Sequence, residues 1–308
     1  MKGLKYTFSS VFFFVILIFN ASAQSHDITI QISNQPDNKI ILGTIKGDEF
    51  TPIDSAEAIN GTVKFQLSSS NPIGVYRLVL GKTAYAKVMD KDPQQLDFIY
   101  NNEDVILQTD FKNPVAGLKV IQSVENKIWY DFNEKENILK DELQLMEKEV
   151  DYFWAKKDTS NATLKANEFN QLQMDREQFI SQTVNSFAGR YAAKMIKMYS
   201  EPFRDAYLSA EQRDEDYKAN YFNGLGFTDE SLIHSSAYSD RIFNYLVLCN
   251  DKGFTQDQRE AEYEKAIDII VANTNQNEEV HKFILDYMVD GFEILKMDKL
   301  IAYIEDKY

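Results

Sequence analysis

The chain has 308 residues, of which 44% are hydrophobic and 13% aromatic, so it can bury sizeable cores and is not typical of a disordered protein. Asp and Glu number 48 against 33 Lys and Arg, which gives a formal net charge of −15. This acidic balance disfavours binding to nucleic acid or to an anionic membrane, since both require clustered basic side chains. The single cysteine, Cys249, excludes a disulfide within the chain and the Cys-x-x-Cys pair of a dithiol oxidoreductase.

Residues 1–23 have the features of a secretory signal peptide. Two lysines precede the uninterrupted apolar run Val11–Phe19, and the small residues ending at Ala23 match a signal-peptidase site. The apolar run is about half of the ~20 residues that a membrane-spanning helix needs. We therefore predict cleavage between Ala23 and Gln24, export to the periplasm or outer cell envelope, and no transmembrane span in the mature chain.

Residues 24–113 show short alternating runs separated by turn residues, the pattern of antiparallel strands in a β-sandwich or small open barrel. The Asn60-Gly61 pair is typical of a two-residue type I′ hairpin, because that turn needs positive φ at both central positions. We predict an N-terminal antiparallel β-sandwich. The predicted strands are ITIQI, KIILGTI, TVKFQL, VYRLVL, YAKVM, LDFIY and VILQT.

Residues 114–308 change to the 3.6-residue periodicity of amphipathic helices, so the fold class is α+β, with an all-helical domain following the sandwich. The domain boundary is predicted near Asn113-Pro114. The predicted helices cover Val124–Lys156, Thr163–Tyr199, Glu211–Phe222, Ser231–Asn250, Thr255–Thr274 and Asn277–Tyr308.

Several helix starts carry capping signals. Thr255 with Gln258 matches a capping box, and Asn275 with Glu278 resembles one. Asp229 and Asp298 are predicted to be N-cap residues, because their carboxylates can accept the unpaired backbone N–H groups of a first turn.

His234 is the first candidate for chemistry, because Ser235, Ser236 and Asp240 lie near it in sequence. A catalytic triad is assembled by the fold, however, and sequence neighbours rarely reach its geometry. A role at the helix start is the simpler interpretation of this segment.

Glu278 and His281 have the Glu-x-x-His spacing of di-iron ligands, but neither of the other mature histidines has a Glu three residues before it. Cys249 lies in a strongly apolar helical segment, which favours core packing over reactivity. We predict no catalytic residue, no metal site and no cofactor.

Aromatic residues cluster in IWYDF and DYFW on one predicted helix. At helical spacing such residues usually belong to a core, but they can also line a groove for a ligand. Trp129, Tyr130, Tyr152 and Trp154 are therefore the candidate groove residues.

The segments LGTIKGDEFTPIDSAEAINGTVKFQL, NPIGVYRLVL and LDFIYNNEDVILQT resemble an N-terminal β domain of unknown function. That domain occurs in exported thioredoxin-like (AhpC/TSA-type) thiol-disulfide oxidoreductase family proteins of Bacteroidetes-type bacteria. SVENKIWYDF, KMYSEPF and TDESLIHSSAYSDRIFNYL resemble the helical region that follows it in those proteins. In that family a thioredoxin or peroxiredoxin-type domain with Cys-x-x-Cys comes next, whereas this chain ends at Tyr308. The resemblance transfers no active-site residue and implies an association with envelope redox chemistry.

The leading functional hypothesis is a non-catalytic exported module that positions, or recruits partners for, a thioredoxin-like domain. Its partner would be such a domain or the substrates of one. The alternatives are a fragment of a complete thiol-disulfide oxidoreductase and a stand-alone binder of a small ligand or peptide in the helical half. The sequence assigns no oligomeric state.

Overall fold

A computed structural model describes residues 24–36 and 39–308. The predicted signal peptide, including Ala23, lies outside the described residues. Gln24, on the other side of the predicted cleavage site, is exposed and directly precedes the first strand. Its carbonyl accepts a hydrogen bond of 2.9 Å from the backbone N–H of Ser69.

The α+β class is confirmed: two four-stranded sheets are followed by helices. The described strands are β1 (Ser25–Ser33), β2 (Lys39–Lys46), β3 (Glu49–Glu57), β4 (Thr62–Ser68), β5 (Gly74–Gly81), β6 (Gln94–Tyr100), β7 (Val105–Asp110) and β8 (Lys119–Gln122). The strand order is β4-β1-β7-β8 in one sheet and β3-β2-β5-β6 in the other. Among these described strands, β1 and β7 pair in parallel and the other pairs are antiparallel.

One core lies between the two sheets. Alternate residues of β1, including Ile28 and Ile30, are fully buried and pack with Leu42 and Leu78 from the opposite sheet. Successive side chains of a strand point to opposite faces, so alternation in the sequence places one apolar face inward. The N-terminal half is therefore a sandwich rather than an open barrel.

The Asn60-Gly61 turn is confirmed, with φ of 52° and 76° at the two positions. A single bridge joins Ile59 and Thr62 across it. Beyond that bridge the strands separate, because β3 pairs with β2 while β4 pairs with β1. The turn thus connects the two sheets instead of closing a long hairpin.

The predicted strand YAKVM is wrong, because Ala84–Val88 forms the short helix α1. Thr83 caps this helix by accepting the N–H of Ala86 at 3.0 Å. Local helix propensity and a cap decide the conformation where no neighbouring strand is available. The sequence pattern also missed β8, which pairs with β7 and extends its sheet past residue 113.

The helical half follows the predicted segments with three interruptions. The predicted helix over residues 231–250 is divided at Ser235, whose backbone is extended, into a 3₁₀ helix and an α-helix. The predicted helix over residues 163–199 is divided near Gly189, whose φ is 86°. The last predicted helix is divided at Lys296, whose φ is 56°. The described helices are α2 (Val124–Ala155), α3 (Thr159–Ser186), α4 (Tyr191–Lys197), α5 (Ala210–Asn220), the 3₁₀ helix (Glu230–His234), α6 (Ala237–Leu248), α7 (Gln256–Thr274), α8 (Glu278–Ile294) and α9 (Asp298–Lys307).

The predicted caps have mixed outcomes. The Thr255 capping box and the Asp229 cap of the 3₁₀ helix are confirmed. The Asn275 cap is wrong, because Asn275 ends α7 and Asn277 instead accepts the N–H of Val280 at 3.0 Å. Asp298 is also not an N-cap: it is the first residue of α9, where its charge complements the helix dipole.

The sandwich packs directly against the helices at a surface that we call the junction. Ile45, Val75 and Ile99 of the sandwich share one core with Ile128 of α2. The approach is close at Gly74, where a Cβ atom would lie 2.5 Å from the Cβ of His234. Only glycine fits there without displacing the 3₁₀ helix.

Candidate functional site

The four predicted groove residues all lie on α2, but the structure does not bring them together. Positions 129 and 154 of a straight helix are separated by about 37 Å at ~1.5 Å per residue. Trp129 stacks edge-on against Tyr199, and Trp154 donates its indole N–H to the carbonyl of Ala206 at 3.0 Å. A ligand contact at these positions stays a prediction.

The other two groove candidates point to different surroundings. The Tyr130 hydroxyl donates a hydrogen bond to the backbone carbonyl of Asp97 in β6, so it ties α2 to the sandwich. Tyr152 is exposed, and Lys156 lies over its ring. Neither residue lines the cleft described next.

A cleft of about 960 Å³ opens among the helices. We call it the helical cleft. One wall is formed by α2 and α3, and the other by α6 and the connection between α4 and α5. Its lining includes Lys140, Leu143, Glu147, Phe169, Met174, Arg176, Glu177, Tyr199, Glu201, Phe203, Arg204, Tyr217, Tyr221, Asp240, Arg241 and Val247.

Two buried tyrosines support two arginines in this cleft. The Arg241 guanidinium lies 3.8 Å from the centre of the Tyr221 ring, and that of Arg204 lies 5.1 Å from the centre of the Tyr217 ring. The two tyrosine rings meet edge to face with centroids 5.6 Å apart. This stacking holds the planar cations at the cleft wall.

Arg176 is an arginine whose charge the protein itself neutralises. It is 4% exposed and pairs with Glu136, which is 1% exposed. It also donates to Glu201 and to the carbonyl of Tyr199, both at 3.1 Å. A buried pair with this many hydrogen bonds is a closed structural unit.

Among the described residues, three other arginines each have an Nε–H group without an acceptor. The Nε atoms of Arg204, Arg213 and Arg241 are buried, and no hydrogen-bond acceptor among the described residues reaches them. Arg204 still pairs with Glu147 and Asp214, and Arg213 pairs with Asp151. Arg241 differs from both, because in the described part of the chain its only acceptor is the Tyr221 carbonyl and no carboxylate pairs with it.

The surrounding groups keep defined protonation states. Burial raises the pKa of Tyr199 and of Tyr221 to about 12, so both hydroxyls remain neutral at physiological pH. Burial also raises the pKa of Asp240, and the hydrogen bond from Ser236 partly offsets this. The hydroxyl of Ser236 lies 2.6 Å from that carboxylate.

The edge of the cleft is apolar. Met174, Phe203 and Val247 line it and are 50%, 45% and 53% exposed, respectively. Exposed large hydrophobic side chains beside a concave surface are typical of an interaction site.

The sequence candidates for chemistry lie in other environments. Ser235 donates to the carbonyl of Leu232 at 2.7 Å and Ser236 donates to Asp240, so both hydroxyls serve the helix ends. Burial lowers the pKa of His234, which packs against Gly74 at the junction. Cys249 ends α6, where burial raises its pKa.

Two further observations concern the described residues as a whole. Within residues 24–36 and 39–308, no three His, Cys, Asp or Glu side chains are grouped so as to hold a metal ion. Across the same ranges, every helix is too short or too polar to cross a bilayer.

Sequence reasoning missed the cleft arginines. A signal was available at Arg241, because it lies between Tyr238 and Ile242 on a segment whose neighbours are buried. A charged residue on an apolar helical stripe is rare unless the fold supplies a partner or a function for it.

Residues 26–129 match the family model of a domain of unknown function, DUF4369. The match covers the whole sandwich and the start of α2, and it ends before the first residue of the helical cleft. Neither the curated proteins nor the solved structures contain a significant match to this chain.

Proposed function

We propose that the chain is a non-catalytic binding module whose helical cleft receives a segment of a partner protein. One observation carries this proposal: exposed Met174, Phe203 and Val247 line a cleft that also contains two arginines stacked on tyrosines. Of these arginines, Arg241 is buried and Arg204 is partly buried. Methionine, aromatic residues and arginine are enriched at the centres of protein interfaces, where a few of them dominate the binding energy.

The dimensions of the cleft support a peptide segment as its occupant. A volume of about 960 Å³ lies at the upper end of the clefts that enclose small ligands. The exposed apolar residues lie at the edge of the cleft. A compact small molecule bound inside the cleft would leave them exposed to water. A chain segment fills the cleft and covers the edge at the same time.

The sandwich gives the module a fixed orientation. Asn126 of α2 bonds both the N–H and the carbonyl of Ile99 in β6, at 2.8 and 2.7 Å. Such paired bonds resist rotation of the helices relative to the sheets. A partner held in the cleft would therefore keep a constant geometry relative to the sandwich, as a positioning unit requires.

The cellular context is a further part of this proposal. The resemblance of both halves to exported thioredoxin-like proteins supports a partner in thiol-disulfide exchange, namely a thioredoxin-like domain or its substrates. The signal-peptide pattern supports a location in the periplasm or outer envelope. The DUF4369 match over residues 26–129 agrees with the resemblance at the level of the sandwich.

A peptide-display selection against the purified chain tests the binding function. Selected peptides should protect amides around the cleft from hydrogen exchange. Val247→Glu should lower the affinity for these peptides about tenfold or more, because it places a charge at the apolar edge. The matched control is Ile294→Glu, since Ile294 is 81% exposed and does not line the cleft. Enrichment of no peptide, or equal binding to both variants, would contradict the proposal.

The redox association has a separate test. A thioredoxin-like domain carrying Cys-x-x-Cys should displace a selected peptide from the wild-type chain and should not bind the Val247→Glu variant. If the domain fails to compete while the peptides bind, the binding module stands and its redox partner does not.

A further inference from the structure

We infer that the helical cleft recognises a carboxylate through Arg241. This inference rests on the proposed function, because it names the chemical group that the bound segment presents.

Arg241 is a buried cation without an anion. It is 5% exposed, its Nε has no acceptor among the described residues, and its single hydrogen bond goes to the uncharged carbonyl of Tyr221. The Tyr221 ring fixes the guanidinium plane from one side. Removal of a charge from water is costly unless an opposite charge compensates it, so the site is arranged to receive one.

Another arginine of the same cleft, Arg176, is paired with carboxylates of the chain itself. Arg176 receives both Glu136 and Glu201. Asp240 directly precedes Arg241, but its carboxylate accepts from Ser236 and makes no pair with Arg241. The open position at Arg241 is therefore specific to this residue.

The surroundings favour a singly charged carboxylate over phosphate. The cleft lining balances its charges, so it has no excess positive charge to hold a dianion. Its carboxylates are Glu147, Glu177, Glu201 and Asp240, and its cations are Lys140, Arg176, Arg204 and Arg241. A planar carboxylate matches the planar guanidinium and can accept from its N–H groups. The carboxylate can come from a chain terminus or from an Asp or Glu side chain of the bound segment.

Three peptides test this inference on the full chain by isothermal titration calorimetry and ligand-observed NMR. They are acetyl-Ala-Phe-Ala with a free carboxylate, the same peptide as its C-terminal amide, and the amide of acetyl-Glu-Phe-Ala. The free acid should bind the wild type at least about tenfold more tightly than its amide, as a charge-assisted hydrogen bond provides. If the Glu-containing amide also binds more tightly than the Ala-containing amide, the cleft accepts a side-chain carboxylate. If it does not, the cleft requires the carboxylate of a chain terminus.

Arg241→Met should remove the preference for the acid while leaving the amide affinity within about twofold. Arg241→Lys should retain part of it, since the charge remains and the planar fork is lost. Arg259→Met is the matched control and should keep the full preference. The Arg259 guanidinium already bonds Asn250 and does not line the cleft. Thermal unfolding of each variant verifies that it is folded.

Equal affinity of the wild type for acid and amide would overturn the inference, as would binding of neither peptide. A loss of both affinities in Arg241→Met would assign Arg241 a structural role and would overturn it as well. In each case the display selection still judges the proposed function independently, because peptides can occupy the cleft without a carboxylate contact.

Discussion

The junction and the helical cleft both bury charged and polar side chains, but they satisfy them in opposite ways. At the junction Glu125 and Asn126 are fully buried. Glu125 accepts from Asn101 at 2.6 Å and from the backbone N–H of Ala192 at 2.8 Å. In the cleft, buried guanidinium N–H groups have no acceptor within the described residues. The first region is complete by itself, and in our proposal a ligand completes the second.

The same difference separates two arginines inside the cleft. Arg176 has two carboxylates, whereas Arg241 has a carbonyl and an aromatic ring. Buried polar groups with internal partners fix a fold, and those without partners are where binding is expected. Substitutions at Arg176, Asn126 and Asp229 test whether internally paired groups stabilise the fold as this difference requires.

Arg176→Met should lower the free energy of unfolding by about 3–5 kcal/mol, because the buried Glu136 carboxylate loses its hydrogen-bonded partner and keeps only Lys140, 3.6 Å away. Urea denaturation followed by circular dichroism measures the change. Arg241→Met is the internal comparison. It leaves no carboxylate without a partner, so it should lower the free energy of unfolding far less. If the two variants lose equal stability, the distinction between an arginine paired with carboxylates and one without a carboxylate is wrong.

Asn126→Ala should lower the free energy of unfolding by about 2–4 kcal/mol, because both backbone groups of Ile99 lose a buried hydrogen-bond partner. Asn133→Ala is the control on the same helix, since its amide bonds only the Trp129 carbonyl one turn earlier. A small effect at Asn126 would show that water replaces these bonds and that the junction is not closed.

Asp229→Asn should have the smallest effect, about 1 kcal/mol or less at pH 7, because the pair with Lys194 is partly exposed. Burial opposes ionisation of Asp229, but Lys194 and Ser231 outweigh it and lower the pKa of its carboxyl. A lowered pKa stabilises the fold above the unfolded value of about 4. That contribution disappears as the pH falls through the folded pKa.

Chemical denaturation at pH 7 and at pH 2.5 should therefore show a gap in unfolding free energy between wild type and Asp229→Asn that is smaller at the lower pH. Asparagine can still accept the N–H of Ser231, so the substitution tests the charge alone. An equal gap at both values would assign the effect to the cap instead.

The sequence pattern was sufficient where the deciding interactions are local. Thr255 and Gln258 form their capping box within one turn, and alternation along β1 predicts which side chains are buried. It failed at YAKVM, where apolar spacing suits either a short strand or a helix and the absence of a neighbouring strand decides. It also did not predict the parallel pairing of β1 with β7, which joins residues distant in sequence.

The two periodicities, the α+β class and the exclusion of dithiol chemistry within the chain by a single cysteine all follow from the amino-acid sequence. Which buried charges are neutralised depends on how distant segments pack. Arg176 meets Glu136 across two helices, and Arg241 meets Tyr221 instead of a carboxylate. Periodicity reports which face of an element is buried, because it repeats within a few residues. Electrostatic partners depend on the packing of distant segments. No local pattern therefore reveals that Arg176 is paired with a carboxylate and Arg241 is not.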